Sequence, residues 1–94
     1  MNLYETMVIL NPALDEGAIS KLSEKIKGII SDGGEVESTD TWGRREMAYE
    51  IKGHREGYYL VIQFKAKPEV PRELAMEFRM NPDVLRGIVI REGN

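Results

Sequence analysis

The sequence contains no cysteine, one histidine and one tryptophan. Each scarcity removes a class of chemistry. Without thiols, disulfides, thiolate metal sites and thiol catalysis are excluded, so stability has to come from packing. The one imidazole, His54, stands in a polar stretch with no pair of partners nearby. It therefore reads as a solvent-facing turn residue rather than a general base or nucleophile. No His cluster exists for a transition metal, and the carboxylates do not follow the Asp-rich loop of a calcium site, so no metal or other cofactor is expected. No apolar run approaches membrane-spanning length, and Met1-Asn2-Leu3-Tyr4-Glu5 lacks the basic and apolar regions of a secretory signal. The expectation is a cytoplasmic protein.

What is present fits one soluble domain spanning residues 1–94, with 41% hydrophobic and 31% charged residues and no low-complexity stretch. The net charge of -3 argues against an indiscriminate polyanion binder. Its distribution says more. Residues 1–40 have three lysines against eight acids, giving -5, whereas residues 41–94 have ten lysines and arginines against eight acids, giving +2. Arg44, Arg45 and Arg55 lie close to glycines or turns, and Arg79, Arg86 and Arg91 follow. That spacing permits a local positive surface on an acidic protein, although a solvated mixed-charge exterior is the plainer reading.

Hydropathy patterning gives the element order. Leu3 to Leu10 alternates as a strand, with Thr6, Val8 and Leu10 on one face and Leu3, Glu5, Met7 and Ile9 on the other; Asn11-Pro12 ends it. A helix follows from about Asp15, its N-cap, with Ile19, Leu22, Ile26, Ile29 and Ile30 at spacings of three and four. Asp32-Gly33-Gly34 stops it, glycine tolerating a left-handed helix end. The same glycines could suggest a phosphate loop, but they follow a helix instead of preceding one, so the helix stop is the better reading.

Glu35 to Thr41 is a polar segment suited to an edge strand, and Met47, Tyr49 and Ile51 resume alternation beyond Trp42-Gly43-Arg44-Arg45. The strand is thus expected to continue past a glycine bulge that re-aims the two arginines. Gly53-His54-Arg55-Glu56-Gly57 is read as a polar turn, with the next strand running from Tyr58 to Ala66. Lys67-Pro68 closes that strand, Val70, Leu74 and Phe78 mark a shorter helix with Pro71 in its first turn, and Asn81-Pro82-Asp83 ends it. Val84 to Arg91 is the last strand.

The order β-α-β-β-α-β closes as a ferredoxin-like α+β sandwich, a four-stranded antiparallel sheet with both helices on one face. The other face would carry Leu3, Glu5, Met7 and Ile9, then Tyr59, Val61 and Gln63, then Ile88 and Ile90. Such an apolar area marks a partner surface unless long basic stems and chain ends shield it. RNA-recognition modules share the topology, but Gly57-Tyr58-Tyr59-Leu60-Val61-Ile62-Gln63-Phe64 lacks their aromatic spacing and is preceded by Glu56 where a basic residue is expected.

The run Trp42-Gly43-Arg44-Arg45-Glu46-Met47-Ala48-Tyr49-Glu50-Ile51, with Gly57-Tyr58-Tyr59 after it, resembles the sixth-protein family of the bacterial small ribosomal subunit. Tyr4-Glu5, Asn11-Pro12 and the stretch Arg79 to Arg86 fall in the family's order, and the likeness covers about Leu3 to Arg91. The resemblance implies a non-enzymatic scaffold that binds 16S ribosomal RNA in the central domain as a heterodimer with the eighteenth small-subunit protein. A basic neighbour would supply much of the affinity for RNA, leaving this chain to supply placed arginines and a packing face. The expected RNA or partner contacts are Arg44 and Arg45 at the bend, Arg79 at the helix end, Arg86 and Arg91 on the last strand, and Tyr4. Each arginine could equally cover an apolar neighbour, and Trp42 and Tyr49 read as core or rim packing. With the chain ending at Asn94, no contacts of a longer tail are expected. Two other readings remain: an interaction or regulatory module using the sheet face, and an acylphosphatase-like enzyme, for which no loop is shaped.

Overall fold

A computed structural model describes residues 1–92, so the chain end at Asn94 lies outside the described residues. The elements are β1 (Asn2–Leu10), α1 (Glu16–Gly33), β2 (Gly34–Ile51), β3 (His54–Ala66), α2 (Val70–Met80) and β4 (Val84–Arg91). The strands pair antiparallel in the order β2-β3-β1-β4, as the α+β reading requires.

Both helices lie on one face, and their apolar stripes meet the alternate residues of the two central strands. Tyr4, Val8 and Leu10 of β1 and Leu60, Ile62 and Phe64 of β3 join Ile19, Leu22, Ile26 and Ile30 of α1 and Val70, Leu74 and Phe78 of α2 in one core. Each fully buried large side chain contributes roughly 1.5–3 kcal/mol of transfer free energy. Thr6 is the one buried polar residue among those described, and its hydroxyl donates to the Ile88 carbonyl at 2.7 Å, so burial leaves no unmet donor. Asp15 caps α1 by accepting from the Ala18 N–H at 2.8 Å. Asn81 ends α2 with its N–H on the Glu77 carbonyl, and its side chain accepts from the Asp83 N–H.

Two local expectations are corrected. The stop after Asp32 is not a left-handed glycine: α1 runs through Gly33, and Gly34 is extended, with φ 179°, as the first residue of β2. Glycine is needed there for space, because a Cβ would collide with the Lys65 carbonyl and lie 2.6 Å from the Ala66 Cα. The hairpin turn is also tighter than a five-residue polar loop. Ile51 pairs with His54, and Lys52-Gly53 forms the turn at φ 51° and 82°, so β3 starts at His54 rather than Tyr58. This is the primed geometry that suits the twist of two paired strands. His54 through Glu56 are polar because this end of the ladder is solvated. They are strand residues.

The bulge expected at Trp42-Gly43 is present. Thr41 pairs with Leu60 and Gly43 with Tyr59, leaving Trp42 as the extra residue, and Gly43 has φ 80°. A larger interruption follows. Glu46 pairs with Glu56 and Ile51 with His54, so Met47 through Glu50 stand opposite Arg55 alone. Four residues against one cannot stay in the plane of the ladder, and the segment leaves it.

Candidate functional site

The sheet face away from the helices is only partly bare. Leu3, Ile88 and Ile90 are 38%, 38% and 54% exposed, whereas Ile9 and Val61 on the same face are nearly buried. The arch of β2 accounts for the difference at Ile9. Met47, Ala48, Tyr49 and Ile51 face Met7, Ile9, Tyr59 and Ile88 across a groove of about 240 Å³ whose lining is mainly apolar. The face that alternation leaves open on the side away from the helices is therefore partly covered by the molecule's own hairpin. The remaining apolar surface consists of this groove, which Ile88 helps to line, and the exposed Leu3 and Ile90 beyond it.

Tyr49 is 62% exposed, so it lies on the groove's rim and not in the core; its hydroxyl accepts from Arg86 Nη1 at 2.9 Å. Trp42 stacks on Tyr59 with centroids 6.0 Å apart and rings 14° from parallel, and the Arg45 guanidinium lies 5.2 Å from the Trp42 ring. Arginine, tryptophan and tyrosine thus form a stack on the rim where the bulge turns Trp42 toward β3.

The arginines divide by what they hold. Arg44 donates from Nε to the Pro12 carbonyl at 3.0 Å and from Nη2 to the Leu14 carbonyl at 2.9 Å, with its guanidinium 5.6 Å from the Tyr58 centroid. It ties the bend of β2 to the loop between β1 and α1. Arg45 Nε donates to the Trp42 carbonyl at 3.5 Å, and Arg91 Nη2 to Asn2 Oδ1 at 3.0 Å. Arg79, exposed in the last turn of α2, suits the electronegative end of that helix and lines a recess with Lys52 and Arg86.

None of these five arginines pairs with a carboxylate among the described residues; the ion pairs there are Lys25–Glu77, Lys27–Glu24 and Arg55–Glu50. Neutral acceptors orient a guanidinium without neutralising it by a contact ion pair, and four of the five have such acceptors. The five do not form one cluster. Arg44 and Arg45 sit at the β2 edge, Arg79 and Arg86 beside each other toward the β4 edge, and Arg91 further along β4.

Tyr4 does not belong to this rim. It is 6% exposed and stacks on Phe64 at 5.5 Å within the core. Its place in the alternation, with Thr6 and Val8, already puts it on the helix side. Conversely, Tyr59, Met47 and Lys52 belong to the candidate surface and were not singled out from sequence as contacts. The signal for Met47 is the strict Met47/Tyr49/Ile51 alternation beyond the bulge; for Lys52 the sequence carries none, because the turn is tighter than its polarity suggests.

At the Leu3 end of the face, Glu5 is held above the usual carboxylate range, first by a hydrogen bond with the Glu92 carboxyl, then by burial and by the Glu92 charge. No group of three or more potential metal ligands occurs among the described residues, and no helix there is long and apolar enough to cross a membrane.

A family model described as ribosomal protein S6 matches residues 3–91. The chain belongs to the ribosomal protein S6 family. Among its relatives, a small ribosomal subunit protein bS6 of Clostridium novyi is 53% identical over 91 residues, covering 96% of each chain. Another bS6, of Carboxydothermus hydrogenoformans, is 52% identical over 90 residues, covering 95% of this chain and 94% of the relative. The crystal structure of 30S ribosomal protein S6 from Thermotoga maritima superposes with a TM-score of 0.91 at 33% identity, over 97% of this chain and 87% of that one. This S6-family chain is thus a structural component of the small ribosomal subunit and not an enzyme, which removes the acylphosphatase-like reading.

Proposed function

We propose that this S6-family chain binds the central domain of 16S ribosomal RNA together with the eighteenth small-subunit protein as a heterodimer, Arg44, Arg45, Arg79, Arg86 and Arg91 supplying the contacts. The observation that supports this most is a rim of five arginines with no carboxylate partners among the described residues, on a chain whose net charge is -3. Solvated cations of an acidic protein are ordinarily free to pair with its own acids. Here four of them donate to carbonyls, an amide oxygen or a hydroxyl, which fixes their direction and leaves further N–H groups for phosphate or base.

The partly covered sheet face supplies the second component of the reading. Leu3, Ile88 and Ile90 and the groove under the β2 arch offer apolar area for a protein neighbour, while the basic rim faces RNA. An acidic chain gains little from counterion release by itself, so a basic partner completes the affinity.

The test is reconstitution of a central-domain 16S RNA fragment with the eighteenth protein, with and without this chain. The chain is expected to join only when both are present, and Arg45→Ala is expected to weaken its entry without unfolding it. Failure of the wild-type chain to enter the complex under any of these conditions rejects the proposal. Entry as a protein pair that ignores RNA favours the interaction-module reading based on the sheet face.

A further inference from the structure

The end of α2, the start of β4 and the β2–β3 turn enclose a recess of about 360 Å³, lined among others by Lys52, Phe78, Arg79, Arg86 and Gly87. Three cations border it and no carboxylate does. Its floor is closed by close packing, since a Cβ on Gly87 would collide with the Phe78 ring. Lys52 Nζ donates to the Val84 carbonyl at 3.2 Å and Arg86 Nη1 to the Tyr49 hydroxyl at 2.9 Å, so both side chains are steered by neutral acceptors. An ammonium has three donors and a guanidinium five, so both groups keep donors for a ligand.

Lys52 adds an independent observation. It is the only non-glycine residue at positive φ among the described residues, at 51°, in a turn position that suits asparagine or glycine. A lysine there strains the backbone, and what it delivers is a long cationic side chain laid across the end of the sheet onto β4. A bare turn needs no such residue.

We infer that this recess binds one phosphate group of an RNA backbone, Arg79 and Arg86 offering planar donors and Lys52 a point charge. The inference rests on the RNA-binding reading above, names the chemical group recognised, and adds Lys52 to the surface. Phosphate fits better than a carboxylate of a protein partner, because three cations around a shallow site match an anion with several outward oxygens.

The test compares the wild-type chain with K52Q/R79Q/R86Q and with K21Q/K67Q/R72Q, which removes the same charge from exposed positions that do not line the recess. Binding to the central-domain RNA fragment with the eighteenth protein is measured over a salt series. The recess variant is expected to bind about tenfold or more weakly, with a salt slope shallower by about 0.7–0.9, the change that follows when one phosphate is no longer neutralised, while the control stays close to wild type.

Because Arg86 also holds Tyr49, R79Q alone provides a second, gentler variant, expected to weaken binding in the same direction, and R79K/R86K is expected to keep most of the wild-type affinity. Equal losses and slopes in the recess and control variants overturn the proposal in favour of general charge. A loss of affinity for the eighteenth protein without RNA, at unchanged salt slope, overturns it in favour of a protein carboxylate. If wild type itself ignores RNA, the failure lies with the RNA-binding reading, a result separable from either.

Discussion

Replacing Arg44 by alanine separates the two roles that the twin arginines at the β2 bend play. Arg44 reaches from β2 to the β1–α1 loop, with bonds of 3.0 and 2.9 Å to the Pro12 and Leu14 carbonyls and a ring contact at 5.6 Å on Tyr58. A charge-assisted hydrogen bond contributes roughly 1.5–3 kcal/mol where it is shielded, and less where the acceptor regains water on truncation. Arg44 is exposed, so the two bonds and the cation–π contact together come to about 1–2 kcal/mol. For a domain of this size that corresponds to roughly 5–15 °C in Tm, or a urea midpoint lowered by about 1 M. Arg45, with one long bond to the Trp42 carbonyl and a stack on an exposed ring, should cost under about 0.5 kcal/mol when truncated. Arg44→Lys keeps the charge but cannot reach both carbonyls with one planar fork, and should recover less than half of the loss. Urea denaturation of the three variants beside wild type decides the matter. Equal midpoints for the Arg44→Ala and Arg45→Ala variants would refute the clamp and return Arg44 to the class of free surface cations.

Thr6→Val removes the buried donor to the Ile88 carbonyl and should destabilise by about 1–2 kcal/mol, read by thermal melting, although it conserves volume. Gly34→Ala places a methyl against the Lys65 carbonyl backbone, which cannot rotate away, and should lower stability by more than about 3 kcal/mol in the same melt. Lys52→Gly relieves the positive-φ strain, about 1 kcal/mol, but gives up the contact with Val84, so stability should change by less than about 1 kcal/mol while RNA affinity falls. Glu5 is raised in the folded state, so its protonated form is favoured there. Its contribution to stability is present below the unfolded carboxylate pKa and disappears as pH rises through the folded value. Stability should therefore fall less steeply with rising pH over that window in Glu5→Gln than in wild type, and a parallel pH profile of the two would show that the Glu92 contact does not matter.

The core was legible from sequence because it obeys two simple periods. The three- and four-residue spacing of Ile19, Leu22, Ile26 and Ile30 and the alternation of Thr6, Val8 and Leu10 put on the helix side the residues that are buried there, whereas Tyr4, expected at a contact surface, follows the same alternation into the core. The bulge at Trp42-Gly43 was legible from a glycine that breaks such a period. The turn was not, because polarity marks solvent exposure and not chain direction: His54-Arg55-Glu56 looks the same in a loop and at the wet end of a ladder. The arch at Met47–Glu50 was hidden for a related reason. Alternation continues through it unbroken, and only the pairing with Arg55 shows that four residues oppose one. The candidate surface inherits that blind spot. Arginines near bends could be named, but which of them clamp a loop and which point outward depends on the three-dimensional path of β2.

That path also matters before any partner arrives. An 18-residue edge strand with unpaired amide groups would invite a second chain to add itself. In β2 the register breaks at Val36/Ser38, at Thr41/Gly43 and again after Glu46, so no stretch of regular pairing exceeds four residues. A newly made copy waiting for its place in a growing particle presents only short, kinked pieces of edge, too brief to template a fibril. The irregularities that shape the groove thus also leave the edge without a long regular run on which another copy could extend the sheet.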